Sequence, residues 1–286
     1  MSNIDWFNES LLIEPASKQI QVHDKTINYL VWGEESKPGL FFIHGYSAHA
    51  HWWDFVAPAF IEKFCVVAID LSGSGDSDHR ESYSQEIFAD EIKAVCEDMN
   101  WKQADFVAHS MGGSISLNAT SIYPELFKSL TLLDSIVVLP PDKARGFSSN
   151  KSMIRADFIY DDIDAAMDSF RLIPPQPCRN DYLLKHIASN SFKQRDDGWV
   201  LKSDGKIMKS YKSKDLTDIL MAIKCPINIV YGLMSQIFTQ EILDYTLYVG
   251  NIPNERVIGI PGTMHHLFVD DPLSVIDALK KVIGED

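Results

Sequence analysis

Short apolar runs alternate with amphipathic stretches along most of this chain. Residues 19–22 and 27–32 flank the turn His23-Asp24-Lys25 and predict two antiparallel strands. The run Gly39–Ile43 is continuously apolar, as a strand covered on both faces must be. Residues 64–69, 105–108, 130–133, 227–231 and 256–260 repeat that pattern. Helical spacing fills 84–100, 112–123 and 272–283 between and after these runs. Strand and helix in alternation predict an α/β protein: a mostly parallel, eight-stranded sheet with helices on both faces.

One stretch breaks the alternation. From Pro140 to about Tyr211 no buried strand is evident, while Ile154, Phe158, Ile159, Ile163, Ala166, Met167 and Phe170 recur at roughly helical spacing. Pro174-Pro175-Gln176-Pro177 then redirects the chain. The expected organisation is a core of 1–139 and 212–286 with a mostly helical cap, 140–211, over the C-terminal edge of the sheet, where open α/β folds hold their ligands.

Composition narrows the class further. Hydrophobic residues make up 45% of the 286 positions and charged ones 23%, which excludes a disordered chain, a collagen-like repeat or a coiled coil. Acidic residues outnumber basic ones, 40 to 26, and the basic ones are scattered. A net charge of −14 repels phosphate backbones and anionic headgroups, so neither nucleic acid nor a membrane surface is an expected partner. Cys65, Cys96, Cys178 and Cys225 form no close pair and read as reduced, inert thiols. The start MSNIDWFNES lacks the basic and apolar regions of a secretion signal, and no apolar run approaches the ~18 residues of a membrane span. A cytoplasmic protein, monomeric or homodimeric, acting on a small molecule is the expectation.

The most informative segment is Asp105-Phe-Val-Ala-His-Ser-Met-Gly-Gly-Ser114. An apolar strand runs into small-x-Ser-x-small and then a helix, the pattern of a nucleophile elbow with Ser110 at its strained tip. Ala108 and Gly112 are small because strand and helix approach closely there. The helix N-terminus favours negative charge beside Ser110. A bland alternative, a serine that merely caps the helix, fits its position after the fifth strand poorly. Upstream, Phe41-Phe-Ile-His-Gly-Tyr46 ends the third strand, and Asp70-Leu-Ser-Gly-Ser-Gly-Asp-Ser77 forms a turn after the fourth.

These motifs, in this order, resemble the α/β-hydrolase superfamily over about residues 18–283. Ala108 stands where the family usually has glycine. The chain is most similar to the capped group of bacterial esterases, serine-hydrolase-like proteins, haloalkane dehalogenases and epoxide hydrolases. The last two use Asp at the elbow, so Ser110 implies acyl transfer. The resemblance implies that the backbone N–H groups of Tyr46 and Met111 form the oxyanion hole and that the 70–77 turn is structural. It also places the base about seven residues before the helix-opening Pro272, which selects His265 over its neighbour His266, a packing residue on this reading. The family's acid commonly follows the seventh strand as G-x-x-D, but this chain reads Gly232-Leu-Met-Ser235. Some capped relatives take the acid from the end of the sixth strand, which points to Asp134; Asp244 is a second, less favoured candidate. His109, Trp52 and Trp53, with Phe158 and Phe170, are candidate pocket residues.

His49, His51 and Asp54 invite a metal reading, but the Asp falls three residues after the second His, where binuclear zinc hydrolases place it two after. No metal is expected there, and no nucleotide fingerprint is present, so no cofactor is expected. The resulting reading is a serine esterase working through Ser110, His265 and Asp134. A carbon–carbon bond hydrolase of a diketone-like substrate, or a hydrolase fold retained for binding, are the alternatives.

Overall fold

The computed structural model describes residues 3–144, 158–212 and 214–284. Ten strands form in chain order: β1 (Ala16–Val22), β2 (Lys25–Trp32), β3 (Gly39–Ile43), β4 (Cys65–Ile69), β5 (Ala104–His109), β6 (Phe127–Leu133), β7 (Phe192–Arg195), β8 (Gly198–Leu201), β9 (Ile227–Gly232) and β10 (Val257–Ile260). Eight of them build one sheet in the order β1-β2-β4-β3-β5-β6-β9-β10. β2 pairs antiparallel with β1 and β4, and the remaining neighbours run parallel. This is the α/β-hydrolase fold.

Period-two alternation divides the central strands between two cores. Phe41 and Ile43 face one side and pack with Phe88 and Ile92 of the helix Gln85–Asp98 and Ile115 of the helix Met111–Ile122. Leu40 and Phe42 face the other, towards Trp53, Phe268 and Leu279 of the helix Pro272–Ile283. Every residue of β3, β4 and β5 is buried, which is why β3 and β4 read as unbroken apolar runs and β5 departs only at Asp105 and His109.

Two expectations change. Val22 pairs with Lys25, so only His23 and Asp24 form the first hairpin turn; both take positive φ, 48° and 59°, as a type I′ turn requires. The insertion between β6 and β9 is not only helical. It carries the antiparallel hairpin β7–β8 as well as the helices Ile163–Asp168, Asp181–Asn190 and Ile207–Ser210. Residues 154–157 of the helical pattern lie outside the described residues. Phe158 and Ile159 precede the helix and are exposed, because Asp162 starts it by accepting from the Ala165 N–H at 2.7 Å. Among the described residues no helix is long and apolar enough to cross a membrane.

Candidate active site

β5 ends at His109, and the chain turns into the helix Met111–Ile122 with Ser110 at φ 53°, ψ −121°. A non-glycine residue rarely adopts such a backbone conformation, and it costs on the order of 1–3 kcal/mol. Close packing holds it. A Cβ on Gly112 would stand 2.5 Å from the His44 carbonyl oxygen, and one on Gly45 would stand 2.9 Å from Ser110 Cβ. The helix start is thus pressed onto the end of β3.

Ser110 Oγ–H donates to His265 Nε2 at 2.9 Å, and His265 Nδ1–H donates to Asp134 Oδ1 at 2.7 Å. His265 comes from the loop after β10 and Asp134 from the residue following β6, itself at φ 46°. Both are buried. Asp134 Oδ2 accepts from the Gly232 N–H at 3.0 Å, and its Oδ1 also accepts from Ser235 Oγ at 2.8 Å. Ser235 Oγ in turn accepts from the Ile237 and Phe238 amides. Asp244, by contrast, is exposed on the helix Gln240–Gly250 and bonds Gln240. The structure therefore joins Ser110, His265 and Asp134 and leaves Asp244 outside.

His266 points elsewhere, 5.4 Å from Trp52 and 5.5 Å from His109 between ring centroids. His109 Nε2–H donates to the His265 carbonyl at 3.0 Å. Burial, reinforced by the neighbouring His265, holds both imidazoles well below their ordinary range, so both are neutral near pH 7. His44 shapes the loop of Tyr46: its Nδ1–H donates to the Gly45 carbonyl at 2.7 Å, and its Nε2 accepts from the Leu71 N–H at 3.1 Å. Asp70 braces the same region by accepting from Asn28 Nδ2 and from the Ala50 and Asp76 amides. Tyr46 borders a cavity of about 510 Å³ whose wall includes Phe158, Val200 and Leu201.

The two tryptophans expected to line a pocket belong to the core. Trp53 is fully buried between Phe42 and Phe268, and Trp52 packs on His266 and Phe268. Phe170 is likewise buried, against Phe192. Large flat rings fill the space between sheet and helix better than a solvated wall would use them. His49, His51 and Asp54 do not converge. His49 Nε2–H donates to Ser191 Oγ at 2.9 Å, whereas Asp54 receives His51 Nδ1 at 2.9 Å and His186 Nε2 at 2.8 Å. His186 lies 132 residues from Asp54, and nothing in the local sequence signals that link. In the sequence Ser235 stands only as the substitute for an acid; its spacing to Gly232 is the signal for its place beside Asp134.

Residues 38–170 match the model of the alpha/beta hydrolase fold family. Among curated proteins the chain is 25% identical to a serine hydrolase-like protein of Danio rerio over 62% of this chain and 58% of that one. A serine hydrolase-like protein of Mus musculus is 32% identical over 37% of this chain and 35% of its own length. The chain thus spans less than two thirds of these two relatives. A pimeloyl-[acyl-carrier protein] methyl ester esterase of Wigglesworthia glossinidia brevipalpis is 24% identical over 85% of this chain and 93% of that one. Among solved structures, E-2-(acetamidomethylene)succinate hydrolase superposes with a TM-score of 0.81 at 21% identity, covering 94% of this chain and 99% of that one. An esterase from Mycobacterium tuberculosis superposes with 0.76 at 22% identity, covering 99% of each. Sheet order and these matches together give the chain the α/β-hydrolase fold.

Proposed function

We propose that this protein is a serine esterase that cleaves carboxylic esters of small or medium size. The observation that carries the reading is the unbroken chain of hydrogen bonds from Ser110 through His265 to Asp134, 2.9 Å and 2.7 Å long, at a strained strand-to-helix turn. His265 takes the Ser110 proton as Oγ attacks the ester carbonyl. The resulting oxyanion is held by the Tyr46 and Met111 amides, each such donor contributing about 3 kcal/mol in the transition state. His265 then passes the proton to the leaving alcohol, and a water activated by the same imidazole releases the acid from the acyl-enzyme. Asp134 keeps Nδ1 protonated, so that Nε2 is the basic nitrogen.

The insertion between β6 and β9 acts on this reading as a cap, and the cavity beside Tyr46 receives part of the substrate. The intact relay supports catalysis over a fold retained for binding. Esterase activity in two superfamily relatives, one from Wigglesworthia and one from Mycobacterium, agrees with ester cleavage.

Hydrolysis of p-nitrophenyl esters from acetate to long chains, with Ser110→Ala in parallel, tests the reading. Turnover of short and medium chains that vanishes in the variant is the expected result. A protein whose Ser110 reacts with a fluorophosphonate yet cleaves no ester would overturn it in favour of carbon–carbon bond hydrolysis.

A further inference from the structure

Three imidazoles crowd beside the nucleophile. The ring centroids of His109 and His265 stand 4.8 Å apart, those of His265 and His266 4.9 Å, and those of His109 and His266 5.5 Å. One nitrogen from each ring lies within 4.8 Å of the others, and all three residues are buried. Among the described residues, Nδ1 of His109 and both ring nitrogens of His266 have no hydrogen-bond partner; the Ile173 and Pro174 carbonyls face His266 without reaching bonding geometry. Buried polar atoms without a partner are rare and each invites an explanation.

We propose that His109, His265 and His266 form an inhibitory binding site for a borderline-soft transition-metal ion, Zn²⁺ above all. Around a tetrahedral ion with bonds of about 2.1 Å, imidazole rings of about 1.2 Å radius stand about 5.3 Å apart between centroids. The three rings already hold that spacing. Their nitrogens must close to about 3.4 Å, a change met by turning the rings rather than by moving the backbone.

The surroundings fit as well. Imidazoles that bind metal usually donate their other N–H to a carboxylate or a backbone carbonyl, which fixes the tautomer and raises ligand basicity. His265 Nδ1–H already donates to Asp134 and His109 Nε2–H to the His265 carbonyl. That leaves His265 Nε2 and His109 Nδ1 for the ion, with water or the Ser110 hydroxyl in the fourth position. Binding at His265 Nε2 replaces its hydrogen bond from Ser110, so the nucleophile loses its base. This inhibitory consequence rests on the esterase reading above; binding itself does not.

The test is calorimetric titration of the full chain with Zn²⁺, for the parent protein and for Ser110→Ala, His109→Gln and His266→Gln. One ion per chain is expected for the parent and Ser110→Ala, with at least tenfold weaker binding in either histidine variant. The Co²⁺ complex of the parent should show the intense absorption of four-coordinate cobalt, a readout independent of how the variants fold. Zn²⁺ should also slow fluorophosphonate labelling of Ser110. Equal Zn²⁺ affinity in all four proteins, no binding at all, or a weak six-coordinate Co²⁺ spectrum would overturn the site. Tight binding lost in the histidine variants, in a protein inactive on every ester when metal-free, would support the site while refuting the esterase reading.

Discussion

Ser235 donates its hydroxyl proton to Asp134 across 2.8 Å. The residue standing where many relatives carry the acid thus steadies a carboxylate supplied from another strand. Asp134 reaches the imidazole from the end of β6, and the side chain at position 235, after β9, is its hydrogen-bond donor.

This exchange can be reversed. Asp134→Asn should lower kcat on the order of 10⁴-fold by unsettling the His265 tautomer. Adding Ser235→Asp in that background returns a carboxylate from the β9 side and should recover at least tenfold, as measured with a p-nitrophenyl ester. Ser235→Ala alone removes one charge-assisted bond, and kcat should fall about tenfold, near 1.5 kcal/mol. Recovery no greater than that of Asp134→Asn alone would show that position 235 cannot reach the imidazole.

Backbone strain at Ser110 is separable from its chemistry. Both Ser110→Ala and Ser110→Gly remove the hydroxyl, but only glycine is at ease at φ 53°, ψ −121°. The glycine variant should be the more stable of the two by about 1 kcal/mol in urea unfolding. Equal stabilities would mean that the turn is relaxed.

Stability should decline on mild acidification. Burial holds His44 below and His49, His109 and His266 well below their ordinary range, so each stays neutral in the fold while titrating freely when unfolded. The unfolded chain therefore binds more protons as pH falls through about 6.5, and each such group removes up to about 1.4 kcal/mol per pH unit. His51 opposes this: burial works against its charge, but its bond to Asp54 raises it overall, so its contribution is largest in acid and is lost as pH rises. Four groups against one predict a melting temperature that drops between pH 7 and 5. His266→Gln should flatten that profile, and a curve unchanged by it would refute the assignment.

Asp54 ties the insertion to the core. It is buried, and although burial alone would raise it, the bonds from His186 and His51 hold it below the usual carboxylate range. His186 belongs to the helix Asp181–Asn190, and His51 to the segment after β3. Asp54→Ala should cost about 2 kcal/mol in stability, since it orphans two half-buried partners. Amide exchange should quicken in the helix Asp181–Asn190 more than in β3 or β5. Uniform change across the chain would show a general core defect instead.

Most of the sheet was legible because β3, β4 and β5 are buried on both faces, which forces continuous apolar runs into β3 and β4 and a mostly apolar one into β5. Ser110 was legible for a related reason: the close approach at Gly112 demands small residues around it. The hairpin β7–β8 was not. Its four-residue strands, Phe-Lys-Gln-Arg and Gly-Trp-Val-Leu, are partly exposed and set no apolar run. The pocket tryptophans misled because aromatic residues beside a site look alike whether they face the cavity or the core. The Asp54–His186 link and the clustered imidazoles are long-range meetings that no local pattern encodes.

Asp134 follows the last residue of β6, and Gly232, whose amide it accepts, is the last residue of the neighbouring parallel strand β9, 98 residues along the chain. A single carboxylate therefore ties together the C-terminal ends of the two strands that flank the longest excursion from the sheet. Whatever is grafted, shortened or evolved between those strands leaves this tie in place, so the insertion can diverge while the imidazole keeps its seat. A fold arranged this way can change what it admits faster than it changes what it does.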